Sequence, residues 1–305
     1  MMELCILGCH SATPKASLNP TSQVLEVNGE VFLIDCGEGT QVQLRRNRIR
    51  FSRIKHIFIS HLHGDHCFGL IGLISTFGLL NRQPDLNIYG PKGIENFIKH
   101  QLALTKTHLS YQLIFHELES EEPKKILETE KVSVETIPLQ HRIYTNGFLF
   151  KEKPGDRQLL LDVLQELSIE KAYYKSIVKG KDVKLASGKI IKNEELTLPP
   201  KKTLSYAFCS DTAFKPDIVK QIQDVDVLYH EATFLEKHED LAYKTMHSTA
   251  KQAGIIAQKA KVGELILGHY SARYRDTEDF KEEAETVFDN VKLASSGKKF
   301  TYHLA

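Results

Sequence analysis

Apolar residues fall into short runs along the chain, and most of these runs have the length and the β-branched or aromatic content of strands. They occupy Glu3–Leu7, Gln23–Val27, Val31–Asp35, Ile54–Ser60, Leu86–Tyr89, Val132–Pro138, Leu204–Phe208, Val225–Tyr229 and Glu264–Leu267. Asn28-Gly29, between the second and third runs, is the dipeptide of a type I′ hairpin turn, because both positions accept positive φ. Longer stretches with a helical period lie at Cys67–Leu79, Gly93–Leu104, Thr249–Ala260 and Thr277–Val291, with Ser248 and Asp276 placed to cap the last two. Hairpins at the start, then strand and helix in alternation, predict an α/β fold with two sheets packed face to face and helices outside.

One segment breaks this rhythm. Residues 151–202 separate two ordinary core stretches, with Lys153-Pro154-Gly155 early and Pro199-Pro200 late. Within it, residues 171–192 hold seven lysines and one acid, Asp182, with Tyr173 and Tyr174 interleaved. A solvated insertion would look the same, but a basic, aromatic-dotted stretch also suits contact with a nucleic-acid backbone. A second basic run, Arg45-Arg46-Asn47-Arg48-Ile49-Arg50, lies on a helix or loop before Ile54.

Composition narrows the classes. The chain of 305 residues is 41% hydrophobic and 26% charged, ordinary for a globular protein. Its net charge of +1 excludes a surface that binds polyanions everywhere, so any such contact must be local. The apolar stretch from Leu4 to Leu7 is too short for a signal peptide or a membrane span, so no membrane contact is expected. The five cysteines are odd in number and show no C-x-x-C spacing, which predicts buried thiols in a reducing cytoplasm. Cys67 is expected to pack and not to ligate.

The densest chemistry is His61-Leu62-His63-Gly64-Asp65-His66, directly after the apolar run Ile57-Phe58-Ile59. A histidine-rich surface loop is the plain alternative, but the position after a strand and before a helix favours metal binding. His61 and His63 can point one way while Asp65 and His66 reach a second point, so one loop can begin two metal sites. Imidazole with carboxylate suits Zn²⁺, with Mn²⁺ or Fe less so. Two ions need further ligands. His141, Asp211 and His269 each sit just beyond an apolar run, where strand ends line a crevice. His61, His63 and His141 would serve one ion, Asp65, His66 and His269 the other, and Asp211 would bridge them.

The spacing of these seven residues resembles the metallo-β-lactamase superfamily, and further motifs are similar to its ribonuclease Z family, the tRNA 3′-processing endonucleases. They are Asp35-Cys36-Gly37-Glu38-Gly39-Thr40-Gln41, Tyr89-Gly90-Pro91 with Gly93, His230-Glu231-Ala232-Thr233-Phe234, His247-Ser248-Thr249 and His269-Tyr270-Ser271-Ala272-Arg273-Tyr274. The chain departs from the family pattern at Leu7-Gly8-Cys9-His10, where a glycine-rich turn is usual, and at Ser210, which stands for a glycine. The resemblance implies an αββα sandwich, two packed mixed sheets with outer helices, in a single domain over 1–305, plus a protruding arm insertion over 151–202 that binds tRNA. It implies two Zn²⁺ per subunit, a precursor-tRNA substrate and a cytoplasmic homodimer in which one subunit's arm serves the other's site.

For mechanism, the resemblance implies cleavage of the 3′ trailer from precursor tRNA, leaving a 3′-hydroxyl on the tRNA and a 5′-phosphate on the trailer. Asp65 would orient the nucleophile and accept its proton. His247, oriented by Glu231, would protonate the leaving oxygen. Ser271 and Arg273 would hold a phosphate, and Lys175, Lys179 and Lys181 would contact the RNA backbone. A small-molecule metallo-hydrolase on the same fold, an arylsulfatase, lactonase or cyclic phosphodiesterase, would share every metal ligand but would need neither the basic arm nor Arg273. A non-catalytic RNA-binding relative would have lost ligands, and all seven are present.

Overall fold

Phe58 meets both Phe148 and Phe150 with ring centroids 5.3 Å apart, and Phe32 meets Phe150 at 5.4 Å. These four rings join two sheets, because Phe32 and Phe58 lie on adjacent strands of one and Phe148 and Phe150 on a single strand of the other. All four are buried, each such ring contributing about 1.5–3 kcal/mol. Tyr206 adds a polar tie across the same interface, its hydroxyl donating to Gln23.

The computed structural model describes residues 1–13, 15–185 and 187–303. The boundaries 1–305 and 151–202 drawn from the sequence include Pro14, Ala186, Leu304 and Ala305, which lie outside the described residues. The described chain divides into two compact units, Met1–Lys151 with Leu204–His303, and Glu152–Thr203.

The larger unit carries two seven-stranded mixed sheets. The first runs in the order Lys299–Tyr302, Met2–Gly8, Ser22–Val27, Glu30–Ile34, Ile54–Phe58, Leu86–Pro91, Leu113–Leu118. Its first four strands pair antiparallel and the rest parallel. The second runs Val291–Leu293, Glu264–Gly268, Val227–Glu231, Ser205–Cys209, Asn146–Glu152, Val132–Pro138, Lys125–Glu128, with a parallel half from Ser205–Cys209 to Val291–Leu293. The Asn28-Gly29 hairpin is present, with both residues at positive φ.

Helices cover the outer faces. Leu44, Leu70, Leu73, Ile74, Phe77, Ile94 and Ile98 pack with Ile54, Ile57, Leu86 and Ile88 in one core. On the other side the helix Ala250–Ala260 lies against Val227–Glu231 and Glu264–Gly268. A Cβ on Gly254 would stand 2.6 Å from Val287, so a side chain there would push apart the contact with the Glu278–Glu285 helix and its end. The αββα expectation therefore holds. The five cysteines are buried and free, and burial raises the Cys67 thiol to about 12, which fits its packing role.

Two details of the predicted helices differ from the sequence reading. The third long helix is capped by Thr249, not Ser248: Thr249 and Gln252 exchange side-chain-to-amide bonds, while Ser248 Oγ donates to the Thr212 carbonyl at 2.7 Å. Asp276 does accept the Glu278 amide at 3.0 Å. The last helix ends at Glu285, because Val291–Leu293 is drawn into the sheet beside Glu264–Gly268.

The smaller unit has its own core of Leu164, Ile169, Ile177, Val183, Ile191 and Leu196. Asn193 organises it, its side-chain amide donating to the Ile177 and Lys181 carbonyls at 2.7 and 3.0 Å. Lys175, Lys179 and Lys181 are exposed here, with Lys179 reaching Asp156 at 2.6 Å.

Candidate metal centre

The strand Ile54–Phe58 ends just before His61, and the chain then turns into the short helix Gly64–Cys67 and on into Gly69–Leu79. This crossing is tight. A Cβ on Gly69 would lie 2.0 Å from the Gly37 carbonyl, and the Gly69 and Cys36 amides donate to Cys36 O and His66 O at 2.9 and 2.7 Å. The segment after Glu30–Ile34 is thereby locked to the histidine loop. Asp35, Asp211 and His269 follow the ends of three strands, and all three have left-handed φ, 55°, 49° and 62°. Such strain at non-glycine residues costs about 1–3 kcal/mol each and is typical of sites that must aim a side chain.

The seven expected ligands converge as two groups that share Asp211. In the first, His61 Nε2 is 3.0 Å from His63 Nδ1, which is 3.3 Å from His141 Nε2, and Asp211 Oδ2 stands 3.5 and 3.7 Å from His61 and His141. In the second, His66 Nε2 and His269 Nε2 are 3.3 Å apart, each 3.1 Å from Asp211 Oδ1 and 3.4 Å from Asp65 Oδ2. Asp211 thus offers one oxygen to each group. Tetrahedral ligands at zinc distances of about 2.0–2.1 Å stand about 3.3 Å from one another, close to the separations within the four-donor group of His61, His63, His141 and Asp211 and the three-donor group of Asp65, His66 and His269.

The outer atoms of the rings fix which nitrogen faces inward. His141 Nδ1 donates to the Met246 carbonyl at 2.8 Å, and His66 Nδ1 donates to Asp35 Oδ2 at 2.7 Å. Thr233 Oγ1 donates to Glu231, so it accepts from His269 Nδ1 at 2.8 Å. Ser60 Oγ lies 3.0 Å from His61 Nδ1. With Nδ1 engaged outward, Nε2 of His66, His141 and His269 faces into the cluster. Burial lowers His61 to about 3, which favours the neutral ring. Burial also favours the neutral carboxyl at Asp211, but the surrounding imidazoles outweigh it and hold the group well below the usual range.

His247 stands beside this cluster, ring centroids 5.0 Å from His141 and 5.4 Å from His269. Its Nδ1 donates to Glu231 Oε1 at 2.7 Å. Glu231 is fully buried and accepts the Thr212 and Thr233 amides at 3.0 and 2.8 Å, so it cannot swing away. Burial favours a neutral imidazole, yet the Glu231 charge prevails and raises His247 to about 9. A ring so charged keeps a proton on Nε2, the atom free to give it up.

These groups open on a cleft of about 390 Å³ lined among others by Thr13, Asp65, Arg142, Asp211, His247 and Ser271. Ser271 lines the cleft. Arg273 does not line it: the residue is exposed, and its amide donates to the Ser271 hydroxyl at 3.3 Å. Arg142 is the arginine in the wall, and it biases His63 toward the neutral form beside the larger effect of burial. Sequence reasoning missed Arg142, whose one signal was adjacency to His141, and missed Asp35, Ser60, Thr233 and the Met246 carbonyl as the partners that orient the rings.

The family model described as Anti-Pycsar protein Apyc1 matches residues 2–292. A Bacteroides thetaiotaomicron protein named Ribonuclease Z is 47% identical over 292 residues, covering 96% of this chain and 92% of its own. A Parabacteroides distasonis protein of the same name is 44% identical over 299 residues, covering 98% of both. Among solved structures, the short form of human tRNase Z superposes with a TM-score of 0.71 at 26% identity over 98% of each chain. The metallo-β-lactamase fold protein YhfI of Bacillus subtilis, at 17% identity, TM-score 0.69 and 99% and 100% coverage, shares the fold.

Proposed function

The chain belongs to the ribonuclease Z family and also matches the family model described as Anti-Pycsar protein Apyc1, and from that premise we propose that it is an endoribonuclease that removes the 3′ trailer from precursor tRNA. The observation that carries the chemistry is the four-donor group of His61, His63, His141 and Asp211 beside the three-donor group of Asp65, His66 and His269, with Asp211 Oδ1 3.1 Å from both imidazoles of the second and the His247–Glu231 pair at their edge.

His61, His63 and His141 would hold one zinc ion, Asp65, His66 and His269 a second, and Asp211 both. When bound, the ions would lower the pKa of a water to about 7 and offset charge on the phosphate. The remaining work falls to side chains. Asp65, on the cleft wall, orients the attacking water and accepts its proton. His247 gives its Nε2 proton to the leaving 3′ oxygen, and Glu231 holds the ring and stabilises its charge. Arg142 and Ser271 grip the phosphate at the cut, the guanidinium matching two of its oxygens. Arg273 lies two residues beyond and is free to meet the flanking backbone.

The unit Glu152–Thr203 serves as the RNA-binding arm, with Lys175, Lys179 and Lys181 on the phosphates. We further propose a homodimer, on family membership, and a cytoplasmic location, where the substrate is made. No helix among the described residues is long and apolar enough to cross a membrane.

Mapping the ends left on a cleaved precursor tRNA tests this reading. Attack by water leaves a 3′-hydroxyl on the tRNA and a 5′-phosphate on the trailer. A 2′,3′-cyclic phosphate would mean that the ribose hydroxyl attacked, and the roles given to Asp65 and His247 would be wrong.

A further inference from the structure

A second cavity, of about 620 Å³, shares no lining residue with the catalytic cleft. Its wall includes Arg45, Arg48, Arg50 and Arg82, and no carboxylate lines it. None of these arginines makes an ion pair among the described residues. In a chain of net charge +1 this is a local concentration of positive charge, although Asp85 acts on Arg82 and the adjoining cavity beyond Arg48 and Arg50 carries Glu3 and Glu26. The basic run of residues 45–50 thus has a place: Arg48, at φ 58°, turns the chain so that Arg48 and Arg50 share one wall.

The rest of the lining says what kind of anion fits. Ile49, Phe51, Phe77, Leu80 and Pro84 give an apolar floor. The Arg45 guanidinium lies over the Phe51 ring at 5.1 Å, and that of Arg82 lies 5.0 Å from Phe77 and 5.4 Å from Tyr111. Rings behind them hold these guanidinium groups as flat plates. Arg82 is 7% exposed, and its Nε and Nη2 donate to the Pro84 and Asp85 carbonyls at 2.7 and 2.9 Å, so that plate is fixed. Ser52, Asn81 and Gln83 add neutral donors and acceptors. Inorganic phosphate would leave most of the volume and the whole apolar floor unused, whereas cavities for organic ligands run to about 300–1,000 Å³.

We propose that this cavity binds a nucleotide, its phosphate on the Arg45–Arg48–Arg50 wall and its base against the apolar floor and guanidinium plates. The nucleotide comes either free or as an unpaired residue of an RNA strand. The site stands apart from the cleavage reaction, and neither depends on the other.

Calorimetric titration of the full chain tests it, with AMP, adenosine, inorganic phosphate and a 2′-O-methyl hexaribonucleotide that resists cleavage. The key variant is Arg45→Ser/Arg48→Ser, which alters exposed residues and spares buried Arg82. AMP should bind at least about tenfold tighter than adenosine or phosphate, and the double variant should weaken it by about tenfold or more. Its unfolding temperature and its hydrolysis of a small phosphodiester should match wild type. A hexanucleotide that binds tighter than AMP and is weakened alike identifies an RNA strand as the source; equal or weaker binding identifies the free nucleotide. Phosphate binding as tightly as AMP, or a double variant that binds AMP unchanged, overturns the inference. So does a double variant that changes only its subunit stoichiometry in sedimentation, since the cavity would then be a subunit contact.

Discussion

Asp35 accepts a hydrogen bond from His66 Nδ1 at 2.7 Å, and both side chains are fully buried. Asp35 also takes the Ser60 amide at 2.7 Å and the Ser60 hydroxyl at 2.9 Å. Its carboxylate is therefore held from three directions and in turn fixes the ring that joins Asp65, Asp211 and His269. We expect Asp35→Asn to fold, because the amide is isosteric, yet to lose metal affinity by about 10–100-fold, the usual effect of removing such an orienting partner. Competition with a chromogenic chelator reads this directly, and unchanged affinity would leave Asp35 with a packing role only.

His247 carries a different expectation. If it protonates the leaving oxygen, His247→Ala should slow cleavage by about 10²–10⁴-fold while bound metal stays the same. Single-turnover rates with elemental analysis of the same sample separate these effects. A wild-type rate removes His247 from the chemistry. Lost metal would make it a ligand, since its ring also lies near Asp211 and His269.

Arg142 and Arg273 should part company. Arg142 lines the cleft and Arg273 does not, so Arg142→Ala should slow hydrolysis of bis(p-nitrophenyl) phosphate by about 10²-fold, as expected for lost transition-state charge stabilisation. Arg273→Ala should leave that substrate unaffected and weaken only precursor tRNA. The reverse pattern in a kcat and KM comparison would return the phosphate at the cut to Arg273.

Deleting residues 155–195 should weaken precursor-tRNA binding and spare hydrolysis of the small diester, because every proposed ligand lies in the larger unit. Lysine contacts release counterions, so the wild type should lose affinity more steeply with salt than the deletion variant. Equal slopes in filter binding would argue that the lysines touch no phosphate.

The readable parts of the sequence were those where one local signal sufficed. Nine strand runs and four helices announced themselves by period, and the ligands by standing just after a strand. Lys125–Glu128 did not, being a short edge strand with charged ends. The apolar period of the Glu278–Glu285 helix continues into Val291, so the pattern alone runs past the helix end, while pairing with Leu265 claims Val291 for the sheet. Asp35 lies 31 positions from His66, and no spacing rule links a ring to an acid so far away. Arg142 leaves no such mark in the sequence, because the direction of an exposed side chain is set by a loop, not by the pattern.

The most direct test is incubation of an end-labelled precursor tRNA with metal-replete protein, with and without chelator, beside the small diester. We expect a single cut at the junction of tRNA and trailer, lost with chelator and restored by zinc. Hydrolysis of the diester with the precursor left intact would contradict the tRNA assignment and favour a small-molecule hydrolase. Cleavage that persists after complete removal of metal would contradict the role of the two donor groups around Asp211.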